Sequence, residues 1–358
     1  MNATTAPKSS SRPLIELKDV TKTFPIRKGV LQRVRGHVHA VSGIDLSIYP
    51  GETVGLVGES GSGKSTLGRL AMRLAEATSG QVYFDGSDVT HLKGRDLASM
   101  RSGVQTVFQD PFASFNPFLP LRVSVGEPLE VHRGLSARQS ADRARELMPL
   151  VGLSASHLER YPRELSGGQL QRMAIARALA VEPRLLILDE PVSALDVSTQ
   201  AQVVNLLEQL QRDLGIAYLF IAHNPALVRH ASDRIAVMYL GEIVEIGEAG
   251  EVHDSPKHPY TQALLSAVTV PDPDVQRARQ RIVLRGDIPN PANPPSGCRF
   301  HNRCQHAMDI CGTVRPEAFT FPGGGTVSCH LHTTGPRLAG APVADLGLPA
   351  VGVATASA

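Results

Sequence analysis

Continuous apolar runs, separated by amphipathic stretches, predict the architecture of most of this chain. Residues 53–57 (TVGLV), 185–188 (LLIL) and 217–222 (AYLFIA) are apolar without alternation, which is typical of parallel strands covered on both faces. Residues 200–215 have the pattern of an amphipathic helix that ends at Gly215. Because strands and helices alternate along the chain, we expect an α/β core with a parallel sheet.

The first fifty residues have a different pattern. Residues 14–24 and 38–49 alternate enough to predict two strands, and the second closes at the Pro50-Gly51 turn. The stretch between them, RKGVLQRVRGH (27–37), is basic. It predicts a solvated hairpin tip, with a lipid-facing or partner-facing patch as the alternative.

Composition and pattern together divide the chain into segments. The region from about 92 to 181 is mostly helical in pattern and contains a proline-rich loop at 110–120. We expect the polar N-terminus and the Ala/Gly/Pro-rich tail to be disordered. The predicted segments are a terminus (1–13), an α/β domain (14–255), a Pro/His/Cys-rich region (256–333) and a low-complexity tail (334–358).

Composition excludes little on its own. The chain has 36 Lys and Arg against 34 Asp and Glu, so its net charge argues neither for nor against binding to nucleic acid. The first thirteen residues lack the apolar core of a secretory signal. No apolar run approaches the roughly 18 residues of a membrane span. We therefore expect a cytosolic protein whose contact with a membrane is made through a partner.

The octapeptide GESGSGKS (58–65) matches the phosphate-binding pattern G-x-x-x-x-G-K-[ST] between a predicted strand and a helix. Its glycines let backbone N–H groups surround phosphates, Lys64 reaches the β and γ phosphates, and the Ser65 hydroxyl binds Mg²⁺. By itself this loop indicates an NTPase. The predicted nucleotide-binding residues are Gly58, Glu59, Ser60, Gly61, Ser62, Gly63, Lys64, Ser65 and Thr66.

A second motif, LLILDE (185–190), ends a buried strand in two carboxylates. Asp189 is placed to bind the metal directly or through a water, and Glu190 to orient or deprotonate the attacking water. Two solvated acids at a strand end are the alternative interpretation.

LSGGQ (165–169) precedes a predicted helix. Ser166 and Gln169 match a capping box, which alone describes an ordinary helix start. Gly167 and Gly168 cost about 1 kcal/mol each within a helical turn, so they indicate that something approaches the backbone closely. The apolar residues that follow at helical spacing are Leu170, Met173, Ala174 and Ala178.

Over about residues 14–250, this combination of motifs resembles the ATP-binding cassette (ABC) ATPases. LSGGQ resembles the family signature, Gln109 in VFQD the Q-loop glutamine, and SALD with Asp196 the D-loop. His223 in IAHN resembles the switch histidine and Phe24 the aromatic residue that stacks on adenine. The resemblance implies an α/β fold: an ABC-type P-loop NTPase core with a β-subdomain, a helical subdomain and a small Cys-rich C-terminal extension.

The resemblance also implies a mechanism in which two cassettes pair head to tail. Glu190 would polarise water, His223 would contact the γ-phosphate, and Gln109 would link the metal site to a transmembrane partner. Relatives commonly have Asp after the histidine, but this chain has Asn224, which leaves support of His223 by a carboxylate open. The implied Mg²⁺ ligands are Ser65, Gln109 and Asp189. The implied contacts to ATP in trans are Ser166, Gly167, Gly168, Gln169 and Asp196.

HPYTQALLSAV (258–268) and GDIPNPANPPSGCRFHNRC (286–304) resemble the C-terminal extension of oligopeptide and dipeptide importer ATPases, which nickel and glutathione importers share. The chain looks closest to the second, F-type ATPase of such systems. This implies a non-identical partner ATPase, two transmembrane permease subunits, an extracellular substrate-binding protein and a place at the cytoplasmic face of the inner membrane. No nucleic acid is expected.

All cysteines lie in this extension, and in a reducing compartment such a cluster favours a metal site over disulfides. They are Cys298, Cys304, Cys311 and Cys329. Their spacing lacks the tight pairs of structural zinc sites, whereas four thiolates suit an iron–sulfur cluster. The resemblance implies [4Fe–4S]. Zinc, with His301, His306 or His330 as substitute ligands, and free thiols remain alternatives.

Two other functions share parts of this pattern. A non-transport ABC ATPase of DNA repair or translation would carry long coiled coils or two cassettes per chain, and this chain has one cassette and a short helical insert. A small-molecule kinase would share the phosphate loop but has no use for LSGGQ. The extension favours transport.

Overall fold

The computed structural model describes residues 12–29, 32–268, 281–335 and 337–346. The disorder predicted for the N-terminus and for the end of the tail falls mostly outside the described residues. The described part of the tail packs against the extension, because Val343 is buried and its N–H donates to the Pro256 carbonyl at 3.0 Å.

An antiparallel sheet forms from the N-terminal part of the chain, with strand order β2-β1-β4-β5. The two long strands pair from Ile15 opposite Ile48 to Lys28 opposite Arg33, so the predicted strands exist but extend further toward the hairpin end. The strands of this sheet are β1 (Ile15–Lys28), β2 (Arg33–Ile48), β4 (Ser79–Phe84) and β5 (Ser87–Asp88).

The central sheet has strand order β11-β12-β10-β9-β3-β8-β7-β6, in which β6, β7, β8, β3 and β9 are parallel. The predicted parallel sheet of an α/β fold is confirmed. Its strands are β3 (Thr53–Val57), β6 (Val104–Val107), β7 (Leu185–Asp189), β8 (Ala217–Ile221), β9 (Arg234–Tyr239), β10 (Glu242–Glu248), β11 (Ala318–Thr320) and β12 (Thr326–Ser328). β6 lies inside the region predicted to be mostly helical, because four residues are too few to show a strand period.

Helices cover this sheet and form the insert between β6 and β7. The described α-helices are α1 (Lys64–Ala71), α2 (Gly94–Gly103), α3 (Leu121–Arg133), α4 (Ala137–Leu147), α5 (Gly167–Leu179), α6 (Val197–Leu214), α7 (Pro225–Ala231), α8 (Ala249–Asp254), α9 (Pro259–Ser266) and α10 (His330–Thr333). α6 ends as predicted at Gly215, whose φ of 67° provides the left-handed C-cap. It begins three residues earlier than predicted because Asp196 caps it.

Two hydrophobic clusters lie on the two faces of the central sheet, since alternate residues of a strand point to opposite sides. Ile187 belongs to the cluster under β1, β2 and α1, whereas Leu188 belongs to the cluster under the helical insert. Tyr260 and Phe300 of the C-terminal extension are buried in the second cluster. The extension also adds β12 to the sheet edge, where Val327 pairs with Glu245 of β10. It is therefore built into the core.

Candidate functional site

The phosphate-binding loop connects the end of β3 to α1, as predicted. Its glycines adopt the positive φ values that other residues avoid: 157° at Gly58, 77° at Gly61 and 104° at Gly63. A Cβ at Gly63 would lie 2.1 Å from the carbonyl oxygen of Ala40, so only glycine fits there. The loop therefore leaves room for phosphates next to its backbone N–H groups and the N-terminus of α1.

Lys64 lies at the start of α1 with its side chain largely buried. Its ammonium donates to the carbonyl oxygens of Gly58 at 2.8 Å and of Glu59 at 2.9 Å. Burial lowers the pKa of Lys64, and the nearby carboxylates of Glu190, Asp189 and Glu59 oppose that effect. A third hydrogen bond of the ammonium, 3.5 Å long, goes to the Ser62 hydroxyl. An ammonium held against the loop by neutral oxygens is well placed to bind phosphate oxygens.

Ser65 and Asp189 meet beside this lysine. The Ser65 hydroxyl donates to the Asp189 carboxylate at 2.9 Å, although the two residues come from different elements. Burial raises the pKa of Asp189, the Ser65 hydrogen bond lowers it, and repulsion from Glu190 raises it. A hydroxyl and a desolvated carboxylate side by side are hard oxygen donors, and they fit Mg²⁺.

Glu190 immediately follows β7 and occupies a left-handed backbone conformation with φ of 50°. Its carboxylate accepts a hydrogen bond from Gln109 Nε2 at 3.0 Å and lies 3.4 Å from His223 Nδ1. Gln109 follows β6 and His223 follows β8, so three neighbouring parallel strands end at one point. The structure therefore brings together the three residues that the sequence predicted to be catalytic.

Asn224 occupies the position where relatives commonly have Asp, and its role here is structural. Its side chain accepts a hydrogen bond from the Ala226 N–H at 3.0 Å and caps α7. This cap fixes the turn that follows His223, and no acidic residue is needed for it.

The signature segment begins α5 with the predicted capping box. The Ser166 hydroxyl accepts from the Gln169 N–H at 3.3 Å, and the Ser166 N–H donates to the Gln169 side chain at 3.0 Å. A Cβ at Gly168 would lie 2.4 Å from Cγ2 of Thr199 on α6. The glycines indicated that something approaches the backbone closely. At Gly168 that group is the Thr199 side chain of the same chain. Nothing in the sequence around Thr199 indicated this contact.

Asp196 caps α6 next to that contact and is exposed. It accepts hydrogen bonds from the Thr199 N–H at 2.9 Å and from the Ser198 and Thr199 hydroxyls at 2.5 and 2.7 Å. These bonds, led by that from Ser198, hold the pKa of Asp196 well below its usual range. Ser166 is exposed too, so both residues are accessible to a second polypeptide.

Phe24 lies on β1, and its exposed fraction of 42% is high for so large an apolar side chain. The strand register puts it opposite Val38, two residues before Ala40, whose carbonyl faces Gly63 of the phosphate loop. The Lys22 ammonium lies 5.0 Å from the ring centre. An exposed aromatic face near the phosphate loop is suited to stacking on a base.

The four cysteines are free thiols. Burial raises the pKa of Cys298 to about 11 and that of Cys304 to about 12. Burial also raises the pKa of Cys329, and repulsion from thiolates at the other three positions adds to it. Among the described residues, however, no group of three or more His, Cys, Asp or Glu side chains is arranged to hold a metal ion. The predicted iron–sulfur or zinc site is therefore not supported by this arrangement.

These features define a P-loop nucleoside triphosphatase. They are a phosphate loop, an aspartate at a strand end and the glutamate that follows it, with further residues contributed by two neighbouring strands. Comparison with known proteins identifies the type. The family model of the ABC transporter matches residues 41–193, and the model of the oligopeptide/dipeptide transporter C-terminal region matches residues 244–311.

Individual relatives extend this match over nearly the whole chain. The oligopeptide transport ATP-binding protein AppF of Bacillus subtilis (strain 168) is 50% identical over 326 residues, covering 91% of this chain and 99% of AppF. The oligopeptide transport ATP-binding protein OppF of Salmonella typhimurium (strain LT2) is 49% identical, covering 85% and 92%. The chain belongs to the ABC transporter family and is one of its ATPases.

Solved structures agree with this assignment. A dimeric post-hydrolysis state of the ATP-binding cassette MJ0796, bound to ADP and Pi, is similar with a TM-score of 0.58 and 32% identity, covering 66% of this chain and 98% of that one. Within the part of the chain that the structure describes, no helix is both long enough and apolar enough to cross a bilayer.

Proposed function

We propose that this chain is the ATP-hydrolysing subunit of a complex that imports di- or oligopeptides across the cytoplasmic membrane. The observation that carries the proposal is the C-terminal region of oligopeptide/dipeptide transporter type, joined in one chain to a phosphate loop whose Ser65 meets Asp189 and to the Gln109–Glu190 pair. The names of the two relatives described above, AppF and OppF, agree with it. The ATPase domain would span 14–255, with its helical part at about 92–181, and the extension would span 256–333.

ATP would bind with its phosphates along residues 58–66 and its adenine against Phe24. Lys64 would turn from the loop carbonyls to the β and γ phosphates, since an ammonium pairs better with a phosphate than with a peptide oxygen. Mg²⁺ would be held by Ser65, Asp189 and Gln109 and would neutralise charge on the β and γ oxygens. The adjacent Ser65 and Asp189 oxygens support this assignment.

Hydrolysis needs a water in line with the γ-phosphate. Glu190 would accept the hydrogen bond of that water and polarise it, because its carboxylate lies at the carboxyl end of the sheet beside the metal ligands. His223 would contact the γ-phosphate while staying next to Glu190, and Gln109 would release Glu190 when it binds the metal. The short distances from Glu190 to Gln109 and His223 support these roles.

The ATP site would be completed by a second cassette, in which the signature of one subunit caps the nucleotide held by the other. Ser166, Gly167, Gly168, Gln169 and Asp196 would make these contacts in trans. Exposure of Ser166 and Asp196 at neighbouring helix starts supports this arrangement. The partner would be a non-identical ATPase, by analogy with the F-type subunits that the sequence resembles.

The transmembrane permeases would contact the loop that follows Gln109. Large apolar side chains are exposed on this part of the surface, which favours a protein-binding site. They are Phe108, Phe112, Phe118, Leu119 and Val123, and Phe118 is 85% exposed. Binding there would place the chain at the cytoplasmic face of the membrane, with an extracellular substrate-binding protein as an indirect partner.

We propose, as a finer point, that the four cysteines hold a [4Fe–4S] cluster that fastens the loops of the extension together. The 2.8 Å hydrogen bond from the Cys298 N–H to the Cys311 carbonyl joins two of the four cysteine segments and supports this proposal, although the described side chains are not arranged as a metal site. Cys298, Cys304, Cys311 and Cys329 would hold the cluster through their thiolates, since four thiolates suit an iron–sulfur cluster. We expect an anaerobic preparation that is brown and absorbs at about 400 nm. Colourless protein with stoichiometric zinc would contradict the cluster.

The test of the proposed function is reconstitution of this chain with its permeases, partner ATPase and binding protein in vesicles. We expect ATP hydrolysis that is stimulated by binding protein loaded with a mixture of di- and oligopeptides, together with uptake of labelled peptide. Nickel ion and glutathione serve as matched alternative cargoes, because importers for both share the extension. Stimulation by nickel or glutathione and not by peptides would replace the peptide assignment. Copurification with ribosomes or DNA in place of permeases would contradict transport.

A further inference from the structure

The C-terminal extension contacts the phosphate-binding loop through a bidentate ion pair. Arg303, on a turn of 3₁₀-helix, donates to the Glu59 carboxylate at 2.7 Å and 3.1 Å through its two terminal nitrogens. The two residues are separated by 244 positions in sequence. The side chain of Arg303 is 8% exposed and that of Glu59 24%, so water screens this pair less than a surface pair.

The backbone of Glu59 is held by the extension as well. Its N–H donates to the hydroxyl of Tyr260 at 2.8 Å. Tyr260 is fully buried on α9 and packs against Tyr239 and Phe300, with ring centres 4.7 and 5.4 Å away. Glu59 is therefore fixed at both its main chain and its side chain by residues of the segment that follows the ATPase domain.

A second layer of contacts supports the other side of the loop. The N–H of Gly241, in the turn between β9 and β10, donates to the Ser62 carbonyl at 2.8 Å. That turn is itself held by Arg299 of the extension, which donates to the Leu240 carbonyl and pairs with Glu242 at 2.9 Å. The extension thus reaches the phosphate loop by two separate routes.

The charge of Glu59 makes the ion pair important for binding an anion. Glu59 lies in the loop that must surround a polyphosphate, and its backbone carbonyl is 2.9 Å from the ammonium of Lys64. A free carboxylate there would repel the phosphates and compete for Lys64. Burial by itself would lower the pKa of Arg303, but the hydrogen bonds to Glu59 and Tyr239 raise it, so the guanidinium stays charged and neutralises the carboxylate.

We propose that Arg303 is a positioning residue for ATP: it neutralises Glu59 and fixes the phosphate loop, which makes the C-terminal extension a part of the nucleotide site. This inference rests on the proposed binding of phosphates by residues 58–66. It assigns to the extension a direct effect on nucleotide affinity, in addition to any role in choosing partners.

The test compares variants in the full transporter complex, with ATP titrated against the rate of hydrolysis. For Arg303→Gln we expect the KM for ATP to rise about tenfold with kcat nearly unchanged, because an uncompensated carboxylate faces the phosphates. Arg303→Lys, which keeps the charge but loses the bidentate geometry, is expected to raise KM about threefold. Asn302→Ala, an exposed change on the same turn, is the matched control and is expected to leave KM within twofold of wild type.

The double variant Glu59→Gln/Arg303→Gln separates positioning from simple structural support. Removing both charges is expected to return KM to within about threefold of wild type, since no unpaired carboxylate is left. An unchanged KM in Arg303→Gln, or a double variant no better than the single one, would overturn the proposal. If Arg303→Gln does not fold, Arg303→Lys becomes the deciding variant. A KM for ATP that does not rise in Arg303→Lys would then overturn the proposal. ATP binding that survives Lys64→Ala would instead contradict the proposed phosphate site.

Discussion

Gln109 Nε2 donates a 3.0 Å hydrogen bond to the carboxylate of Glu190, although the two residues follow different strands and lie 81 positions apart. The bond joins the carboxylate that we propose to be catalytic to the loop whose exposed phenylalanines are the proposed permease contact. A displacement of that loop would break this bond and so change the hydrogen-bond partners of Glu190. In the proposed complex, coupling between permease and hydrolysis would pass through this side-chain hydrogen bond.

Glu190→Gln is expected to abolish turnover while ATP binding persists. The carboxamide keeps the size of the side chain but does not accept a proton, and loss of such a group costs about 10²-fold or more. We expect a stable ATP-bound dimer by size-exclusion chromatography and no phosphate release. Glu146→Gln, a change in an exposed ion pair of the helical insert, is the control and should hydrolyse ATP normally. Normal hydrolysis by Glu190→Gln would remove Glu190 from the catalytic role.

Gly168→Ala is expected to destabilise the protein although alanine favours helices. The gain in helix propensity is about 1 kcal/mol, whereas a Cβ placed 2.4 Å from Thr199 Cγ2 is an overlap of the kind that costs about 1–3 kcal/mol. We therefore expect a lower Tm, measured by thermal denaturation.

Thr199→Ser supplies the check on this prediction. It removes the methyl group that overlaps and keeps the hydroxyl that donates to Asp196. In the Thr199→Ser background, Gly168→Ala should no longer lower the Tm. A Tm loss of the same size in both backgrounds would show that the contact with Thr199 is not the cause.

His258 makes part of the stability of the extension depend on pH. The residue is buried, its Nδ1 accepts from the Tyr260 N–H at 3.0 Å, and burial lowers its pKa from 6.5 to about 3, with a smaller effect from His332. A depressed histidine pKa means that the unfolded state binds the proton first as the pH falls. The contribution of His258 is therefore complete above pH 6.5 and is lost progressively below it.

The measurement is the stability gap between wild type and His258→Asn, whose side chain still accepts the same hydrogen bond without titrating. We expect the gap to shrink as the pH falls from 7.5 to 5. Taking a difference is necessary because burial raises the pKa of the neighbouring Glu245 to about 7, which changes stability in the opposite direction over this range. His91→Asn, at an exposed histidine, is the control. A gap that stays constant with pH would contradict the assignment.

Local patterns were enough to predict much of the fold and to select the residues that are proposed for the ATP site. The apolar runs gave the strands β3, β7 and β8, and the motifs gave Lys64, Asp189 and Glu190, because a strand end fixes where the next residues lie. The capping box at Ser166 was also predictable, because its hydrogen bonds join residues only three positions apart in sequence.

Contacts between distant segments were not predictable from one sequence. The pair of Arg303 and Glu59, the pairing of β12 with β10, and the approach of Thr199 to Gly168 have no local signal, because each depends on how separate elements pack. The HPYTQ segment was useful as a mark of resemblance, but only the structure gives the Tyr260 hydroxyl a partner on the phosphate loop.

The most direct test of the account is ATP hydrolysis by the complete complex carrying Ser166→Arg in this chain. A bulky cation at the signature should keep it from closing over ATP on the partner, so we expect hydrolysis to fall at least about tenfold and to lose cooperativity. Ser136→Arg is the matched control, because it removes an equivalent capping box on α4, and it should retain hydrolysis. Cooperative hydrolysis by Ser166→Arg at the wild-type rate would contradict a site shared between two chains.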